Sequence, residues 1–465
     1  MATKKSSDAR CDSHFFTPSE VTQCRQALLA WYDDNQRTLP WRTIAKSERD
    51  LNIRGYAVWV SEIMLQQTQV ATVIDYYKRW MAKWPDLSAL SQASLDEVNE
   101  MWSGLGYYSR GRRLREGALK VVENLGGQIP STSQELMKQL PGVGRYTAAA
   151  IGSIAFGEPI GLVDGNVVRV LSRMRKIGAE STAQSTIESH WTNANNLVDE
   201  SRPGDFNQAV MELGATVCTP KNPNCNQCPV ADLCLAFADV QRSKDENTSK
   251  LANRVKKEIK DIEDISVKSD CSLCLPKGAL IGEVGVQNYP RKGPKNKVRS
   301  ETSLVCIVTR TIQPGDEIQY LMFQRPKTGL LANLLEFPSF PHQDSNDKLT
   351  KKYVTESLKM HLPDTKVEEV KDLDSVGHQF SHIKQTYRVW SCSIKTGTDS
   401  TVQLDEGKYQ RYQWLNQEEL LSSPISTAMK KVFQSLNKSS KRTRDSPVKG
   451  QRRIESFFGK RSKHV

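Results

Sequence analysis

The chain has 465 residues, about three domains' worth at the usual size. Its 65 Lys and Arg against 53 Asp and Glu leave a formal charge of +12, which favours a polyanionic partner, nucleic acid before any other. Apolar residues at 38% exclude a wholly disordered chain, and no apolar run approaches the about 20 residues of a membrane helix.

In chain order, the N-terminal arm (1–14) has no apolar core of the secretory kind, and Asp8 and Asp12 suit a mitochondrial transit helix poorly. An intracellular protein is expected. Residues 15–237 read as helical. From Val58 to Trp84, residues Ile63, Met64, Val70, Val73, Ile74, Tyr77, Trp80 and Met81 recur at helical spacing, with a break predicted around Gln66–Thr68. Further helices are predicted over Leu95–Trp102, Gly111–Leu125, Gln134–Leu140, Ala148–Phe156 and Val167–Ile177, punctuated by glycine and proline. A charged, aromatic-poor connector follows over 238–300. The texture then turns to strand. Leu304–Thr311 and Ile318–Gln324 flank the turn Gln313-Pro-Gly-Asp316, with further strands at Tyr387–Ile394 and Tyr409–Leu415 and helices at Lys351–His361 and Ser426–Leu436. Residues 301–436 are expected to form a smaller α/β domain, and the basic tail, 437–465, to be disordered.

Ten cysteines are too sparse for a disulfide scaffold, but Cys218, Cys225, Cys228 and Cys234 crowd together on loops that prolines keep out of helix. Four such thiolates suit an iron–sulfur cluster or a structural zinc, and spacing alone does not choose between them. Just after a helical region, this pattern resembles the iron–sulfur loop of the endonuclease III-like DNA glycosylases. That implies a [4Fe–4S] cluster shaping a DNA-contacting loop, with Lys221 on the DNA backbone. Leu140-Pro-Gly-Val-Gly-Arg-Tyr-Thr-Ala148 is similar to the helix–hairpin–helix of that family. Gly142 and Gly144 would turn the chain so that amides at a helix start face a phosphate, although such a turn alone often only joins helices.

Lyase-competent members of that family carry a lysine where this chain has Tyr146, which points to the monofunctional, MutY-type adenine DNA glycosylase branch. Val58-Trp-Val-Ser-Glu-Ile-Met-Leu-Gln-Gln-Thr-Gln69 resembles its adenine-pocket segment and Leu162-Val-Asp-Gly-Asn-Val-Val168 its aspartate turn. Leu39-Pro-Trp-Arg42 and Gly104-Leu-Gly-Tyr-Tyr108 resemble its DNA-contacting elements. From the residues alone, Glu62 sits among Trp59, Val60, Ile63, Met64 and Leu65, a setting that raises a carboxyl pKa, though a helix glutamate ordinarily faces solvent. Asp164 could equally be a helix cap.

The resemblance makes Glu62 the acid that protonates adenine at N7 and later activates water, and Asp164 the carboxylate facing the oxocarbenium-like sugar. Tyr146 and Asn166 would hold them. Trp41, Arg42 and Glu212 would surround the flipped adenine, and Gln67 and Tyr107 would fill the gap left in the duplex. Taken alone, Tyr107 reads as a core aromatic. Arg110, Arg112, Arg113 and Arg115 are expected on phosphates, the plainer alternative being a solvated helix face.

Gln324-Arg-Pro-Lys-Thr-Gly-Leu-Leu331 and Leu335-Glu-Phe-Pro338 resemble the Nudix-like second domain of the same glycosylases, without an acidic metal-binding helix, so binding rather than pyrophosphatase chemistry is implied. His378-Gln-Phe-Ser-His382 is similar to the family's F-S-H loop, which makes Phe380, Ser381 and His382 the readers of 8-oxoguanine; a turn serine beside packed aromatics is the alternative. In the connector, Cys271 and Cys274 with His14 resemble part of the zinc site of animal members, Asp264 standing near where a further cysteine would be. Two unliganded thiols are the alternative. Gln451-Arg-Arg-Ile-Glu-Ser-Phe-Phe458 resembles the sliding-clamp (PCNA) peptide, anchored by Gln451, Ile454, Phe457 and Phe458, and the basic residues around it fit nuclear import or simple DNA binding.

The expectation is an all-α helix–hairpin–helix glycosylase domain with a [4Fe–4S] loop, then an α/β Nudix-like domain. Its activity would be hydrolysis of the N-glycosidic bond of adenine mispaired with 8-oxoguanine, or with guanine, in double-stranded DNA during base-excision repair. It would work as a monomer in the nucleus, the mitochondrion staying open as a second compartment, and without a membrane. The alternatives are an endonuclease III-like glycosylase/lyase for oxidised pyrimidines and a non-catalytic lesion-recognition scaffold.

Overall fold

The computed structural model describes residues 11–243, 271–276, 278–293, 298–313, 316–342, 349–380, 382–394 and 402–442. The chain divides into two units after residue 295. The described part of the first unit is helical: α1 (Pro18–Asn35), α2 (Pro40–Ser47), α3 (Leu51–Leu65), α4 (Val70–Lys83), α5 (Leu87–Gln92), α6 (Leu95–Met101), α7 (Ser109–Asn124), α8 (Ser133–Gln139), α9 (Arg145–Phe156), α10 (Gly165–Met174), α11 (Gln184–Leu197) and α12 (Pro203–Thr216).

Local chemistry sets several of the starts. Thr17 and Glu20 close a capping box on α1, with Pro18 at its first position, and Ser94 and Glu97 do the same on α6. Asp50 caps α3, and Asp164 caps α10. The expected break at Gln66–Thr68 separates α3 from α4.

Helix α3 is buried without interruption from Gly55 to Met64, the environment a helix apolar all round requires. It packs on α2, α4, α7 and α9, so Glu62 is carried into the interior by its neighbours. The approach is close: a Cβ at Gly117 of α7 would lie 2.4 Å from the Trp59 ring. A second core, with Tyr32, Leu171, Trp191, Phe206 and Leu213, joins α1, α10, α11 and α12. Part of the charged connector is packed as well. Cys271 and Leu273 lie against Ile177, and the Gly178 and Ala179 amides donate to the Leu273 carbonyl at 2.9 and 3.1 Å.

The second unit contains β1 (Arg299–Arg310), β2 (Gln319–Gln324), β3 (Leu335–Glu336), β4 (Ser339–His342), α13 (Lys351–Lys359), β5 (Val367–Gln379), β6 (Ile383–Ile394), β7 (Arg411–Leu415), α14 (Gln417–Ser422) and α15 (Thr427–Arg442). The strand order is β3-β2-β1-β6-β5, with β4 on β1 and β7 on β2. Strands β1 and β6 are parallel, whereas β2 and β4 run antiparallel to β1 and β5 antiparallel to β6. Alternation buries both faces of β1: Leu304, Cys306 and Val308 face α13, while Val305 and Ile307 face α15.

Candidate active site and metal centres

Glu62, Asp164, Tyr146 and Asn166 come together from α3, the start of α10 and the first turn of α9. They line one cavity of about 550 Å³, with Trp41, Arg42, Gln67 and Glu212 around them. Glu62 is only 5% exposed. Burial pushes its carboxyl up to about 7; Asp164 adds to the rise, while Arg42 and the Tyr146 hydroxyl, which donates to Oε2 at 2.8 Å, oppose it. Such a group is close to half-protonated at neutral pH. Asp164 is also raised by burial, but its Oδ1 accepts from the Val167 amide at 2.7 Å and its Oδ2 from Asn166 at 2.9 Å, both of which favour the anion. The two acids are therefore distinguished by their partners, one suited to give a proton and the other to stay charged.

Asn166 is held in turn. Arg169 donates to Asn166 Oδ1 at 2.8 Å, to the Gly214 carbonyl at 2.6 Å and to the Cys218 carbonyl at 2.7 Å. A continuous set of hydrogen bonds thus runs from Asp164 to the cysteine loop.

In the same lining Glu212 takes Arg37 at 2.5 Å and Arg42 at 2.8 Å, its own side chain closed to solvent. Burial raises this carboxyl, and the two guanidiniums more than reverse that, holding it below its ordinary value. Arg42 also donates to Gln208 Oε1 at 3.1 Å, and Trp41 stands edge-on to Tyr77 with ring centroids 5.4 Å apart. Sequence reasoning missed Arg37 and Gln208; Arg37 lies in the loop ahead of Pro40, and no spacing announces it.

Gln67 and Tyr107 both adopt left-handed backbone, with φ of 56° and 49°, and both are exposed. Non-glycine residues seldom take that conformation, and strain of this kind concentrates at functional sites. The four arginines after Tyr107 do not act as the expected set. Arg110 is buried on the carbonyls of Ile63, Met64 and Gln66 and does not reach for phosphate, and the Nε of the half-buried Arg115 donates to the Ala93 carbonyl. Arg112 lies 3.6 Å from Glu116, and Arg113 is exposed beside Gly142. In the hairpin itself, Gly142 has φ 79°, a value that calls for glycine. Gly144 is extended, and a Cβ there would meet open space at the start of α9, where the glycine N-cap offers no side chain to the first-turn amides.

Cys218, Cys225, Cys228 and Cys234 line one apolar hollow with Val170, Leu213 and Phe237. Burial, reinforced by the neighbouring thiols, pushes Cys228 up to about 12 and Cys234 to about 11, so thiolates here require a cationic centre. The donor set fits an iron–sulfur cluster. A tighter group is formed by Cys11, His14, Cys271 and Cys274, whose ligand atoms all lie within 4.8 Å of one another. The Cys11 and Cys274 sulfurs are 3.7 Å apart, close to the edge of about 3.8 Å in a tetrahedron with zinc–sulfur bonds of about 2.3 Å. His14 Nδ1 is engaged with the Arg175 carbonyl at 2.9 Å, which turns Nε2 onto the Cys274 sulfur at 3.2 Å. Cys11 joins the three residues expected from the sequence, and Asp264 lies outside the described residues.

In the second unit, Phe380 and His382 sit at the tip of the β5–β6 hairpin, where Gln379 pairs with Lys384 and the Phe380 amide donates to the Ile383 carbonyl at 2.8 Å. His382 is exposed; Phe380 is half-buried, edge-on to His378 at 4.6 Å. Ser381 lies outside the described residues, as do Gln451, Ile454, Phe457 and Phe458.

A buried acid near neutrality, a second carboxylate and the strained Gln67 thus line one cavity. Residues 60–195 match the HhH-GPD superfamily of base excision DNA repair proteins, 218–234 the iron–sulfur binding domain of endonuclease III, and 311–435 the NUDIX domain. The chain is 48% identical to the adenine DNA glycosylase of Mus musculus, over 96% of this chain and 87% of that protein. It is 50% identical to the Homo sapiens adenine DNA glycosylase, over 89% and 74%, and 38% identical to that of Schizosaccharomyces pombe, over 83% and 86%. The chain belongs to the adenine DNA glycosylase family. It is an enzyme that removes adenine from DNA, built from a helical glycosylase domain with a [4Fe–4S]-binding loop and a mixed α/β NUDIX domain. Among the described residues, no helix is long and apolar enough to cross a membrane.

Proposed function

We propose that this chain excises adenine paired with 8-oxoguanine, or with guanine, from double-stranded DNA by hydrolysis and without nicking the strand. The observation that carries the reading is Glu62, buried, titrating at about 7, bonded by Tyr146 and sharing a cavity with Asp164. The Glu62 carboxyl gives its proton to N7 of an everted adenine, so the base departs neutral. As the bond from C1′ to N9 breaks, positive charge develops on the sugar, and the Asp164 carboxylate stabilises it. The Glu62 carboxylate then takes a proton from the water attacking C1′ and is restored. Trp41, Arg42 and Glu212 hold the purine, while Gln67 and Tyr107 occupy the space it leaves. Tyr146 has no amine, so no Schiff base forms at this position and the strand stays intact.

Gly142, Gly144 and the exposed Lys221 are suited to phosphates, and the four loop cysteines hold a cluster that keeps the Lys221 loop in shape. Cys11, His14, Cys271 and Cys274 bind zinc as a structural ion. Phe380, Ser381 and His382 read the lesion opposite the adenine, and the Gln451–Phe458 peptide engages a sliding clamp of the PCNA kind in the nucleus. Duplexes with adenine opposite 8-oxoguanine, adenine opposite guanine, and thymine glycol test the reading when base release is scored apart from nicking. Release from the first two without nicking is expected. Nicking at thymine glycol would favour the lyase alternative, and binding without release the scaffold.

A further inference from the structure

We propose that Arg110 is a positioning residue for base extrusion, its single buried guanidinium locking the Gln67 and Tyr107 loops into a wedge formed before DNA arrives. The role rests on Gln67 and Tyr107 being the residues that enter the duplex. Arg110 stands in the first turn of α7 and is 8% exposed, yet the acceptors of its hydrogen bonds are backbone carbonyls and one hydroxyl, with no carboxylate among them.

On one side Nη1 takes the carbonyls of Ile63 at 2.9 Å, Met64 at 3.0 Å and Gln66. These lie where α3 ends and leaves its last carbonyls without helical partners, at the negative end of its dipole. On the other side Nη2 takes the Gly106 carbonyl at 3.0 Å and Thr68 Oγ1 at 3.2 Å, and Nε points at the Tyr107 carbonyl at 3.4 Å. One rigid fork therefore joins the stretch holding Gln67 to the stretch holding Tyr107. Trp102 backs it, its Nε1 donating to the Gly106 carbonyl at 2.9 Å. Burial lowers the guanidinium pKa to about 10, a penalty that a site needing only helix packing would avoid with an apolar residue. The planar fork is what the two loops share; an ammonium cannot span both. Loops held in left-handed backbone by this cation need no ordering at the moment the base leaves the stack.

The test uses the metal-loaded full chain and adenine opposite 8-oxoguanine, with 2-aminopurine beside the adenine to report unstacking. Arg110→Lys is expected to slow unstacking and single-turnover excision together, by about 10–100-fold. Mismatches flanking the adenine, which weaken the stack, should bring the variant back to within a few-fold of the parent, and its pH profile should keep the parent's alkaline midpoint. Thr68→Val, which removes one contact and leaves the fork, should slow the same phase by about 2–5-fold. Unstacking at the parent rate in both variants overturns the role, as does a loss that flanking mismatches do not relieve, since that would mean Arg110 supports the chemistry or the fold. Tyr107→Ala separates the two layers. If it unstacks the base normally, the wedge itself is wrong and the role falls with it; if it is slow while Arg110→Lys is normal, only the role falls.

Discussion

Glu62 occupies a place where a carboxylate is unfavourable, and the sign of its contribution to stability follows. The group titrates at 4.5 when free and at about 7 in the folded chain. Between those values the native state keeps a proton that the unfolded state has lost, so stability falls as pH rises through the window. Below it there is no penalty; above it the penalty is on the order of 3 kcal/mol. Glu62→Gln removes the ionisation. Thermal melts of parent and variant are expected nearly to coincide at pH 5 and to separate at pH 8, the variant melting several degrees higher. A variant less stable than the parent at pH 8 would mean that the carboxylate is not desolvated. The same substitution should lower adenine release by about 10²–10⁴-fold while leaving DNA affinity in place. Excision by the parent should fall with rising pH above about 7, measurable under single turnover.

At the scale of elements, Asp164 both starts α10 and lines the cavity. Its Oδ1 accepts from the Val167 amide as the helix cap, and its charge lines the cavity. Asp164→Asn keeps an acceptor for the cap and discards the charge; Asp164→Ala discards both. We expect the asparagine variant to lose excision by about 10²-fold or more with little change in thermal midpoint. The alanine variant should lose about 1 kcal/mol of stability in addition. Equal destabilisation by the two would show that charge, rather than the cap, holds the start of α10.

Legibility varied among elements for physical reasons. The helices α9 and α10 and the β1–β2 pairing were readable because their turns carry glycine or proline, and the break between α3 and α4 because the polar run Gln66-Gln-Thr-Gln69 interrupts the apolar spacing. Strand β5 was not. Register shifts at Val367/Glu369 and Asp372/Ser375 each disturb the phase, so Val367, Val370, Leu373 and Val376 recur every third residue on a charged edge strand. Helix α1 did carry a readable start, Thr17-Pro-Ser-Glu20. Within the site, the motifs lead to the four residues that meet in the cavity, whereas Arg37 and Gln208 join it only through tertiary packing. A run of arginines reads as a basic face; that Arg110 turns inward depends on where α3 ends, which its own neighbours do not reveal.

Over the whole molecule, Cys11 and His14 meet Cys274 across 263 and 260 residues of sequence, which is why Cys11 escaped notice as a ligand. These residues tie the two ends of the first unit. An ion bound there stabilises the folded chain because the unfolded chain brings four donors together only at the entropy of closing a very long loop. Metal analysis of the purified protein is expected to give one zinc per chain beside the cluster iron. Cys11→Ser and Cys271→Ser should each lose the zinc, keep the iron and melt about 5–10 °C lower, and added zinc should restore a chelator-treated parent but neither variant. Asp264→Ala should retain its zinc. The reverse pattern, with zinc kept by Cys11→Ser and lost by Asp264→Ala, would return the fourth ligand to the acid and leave the contact of Cys11 with Cys274 a matter of packing.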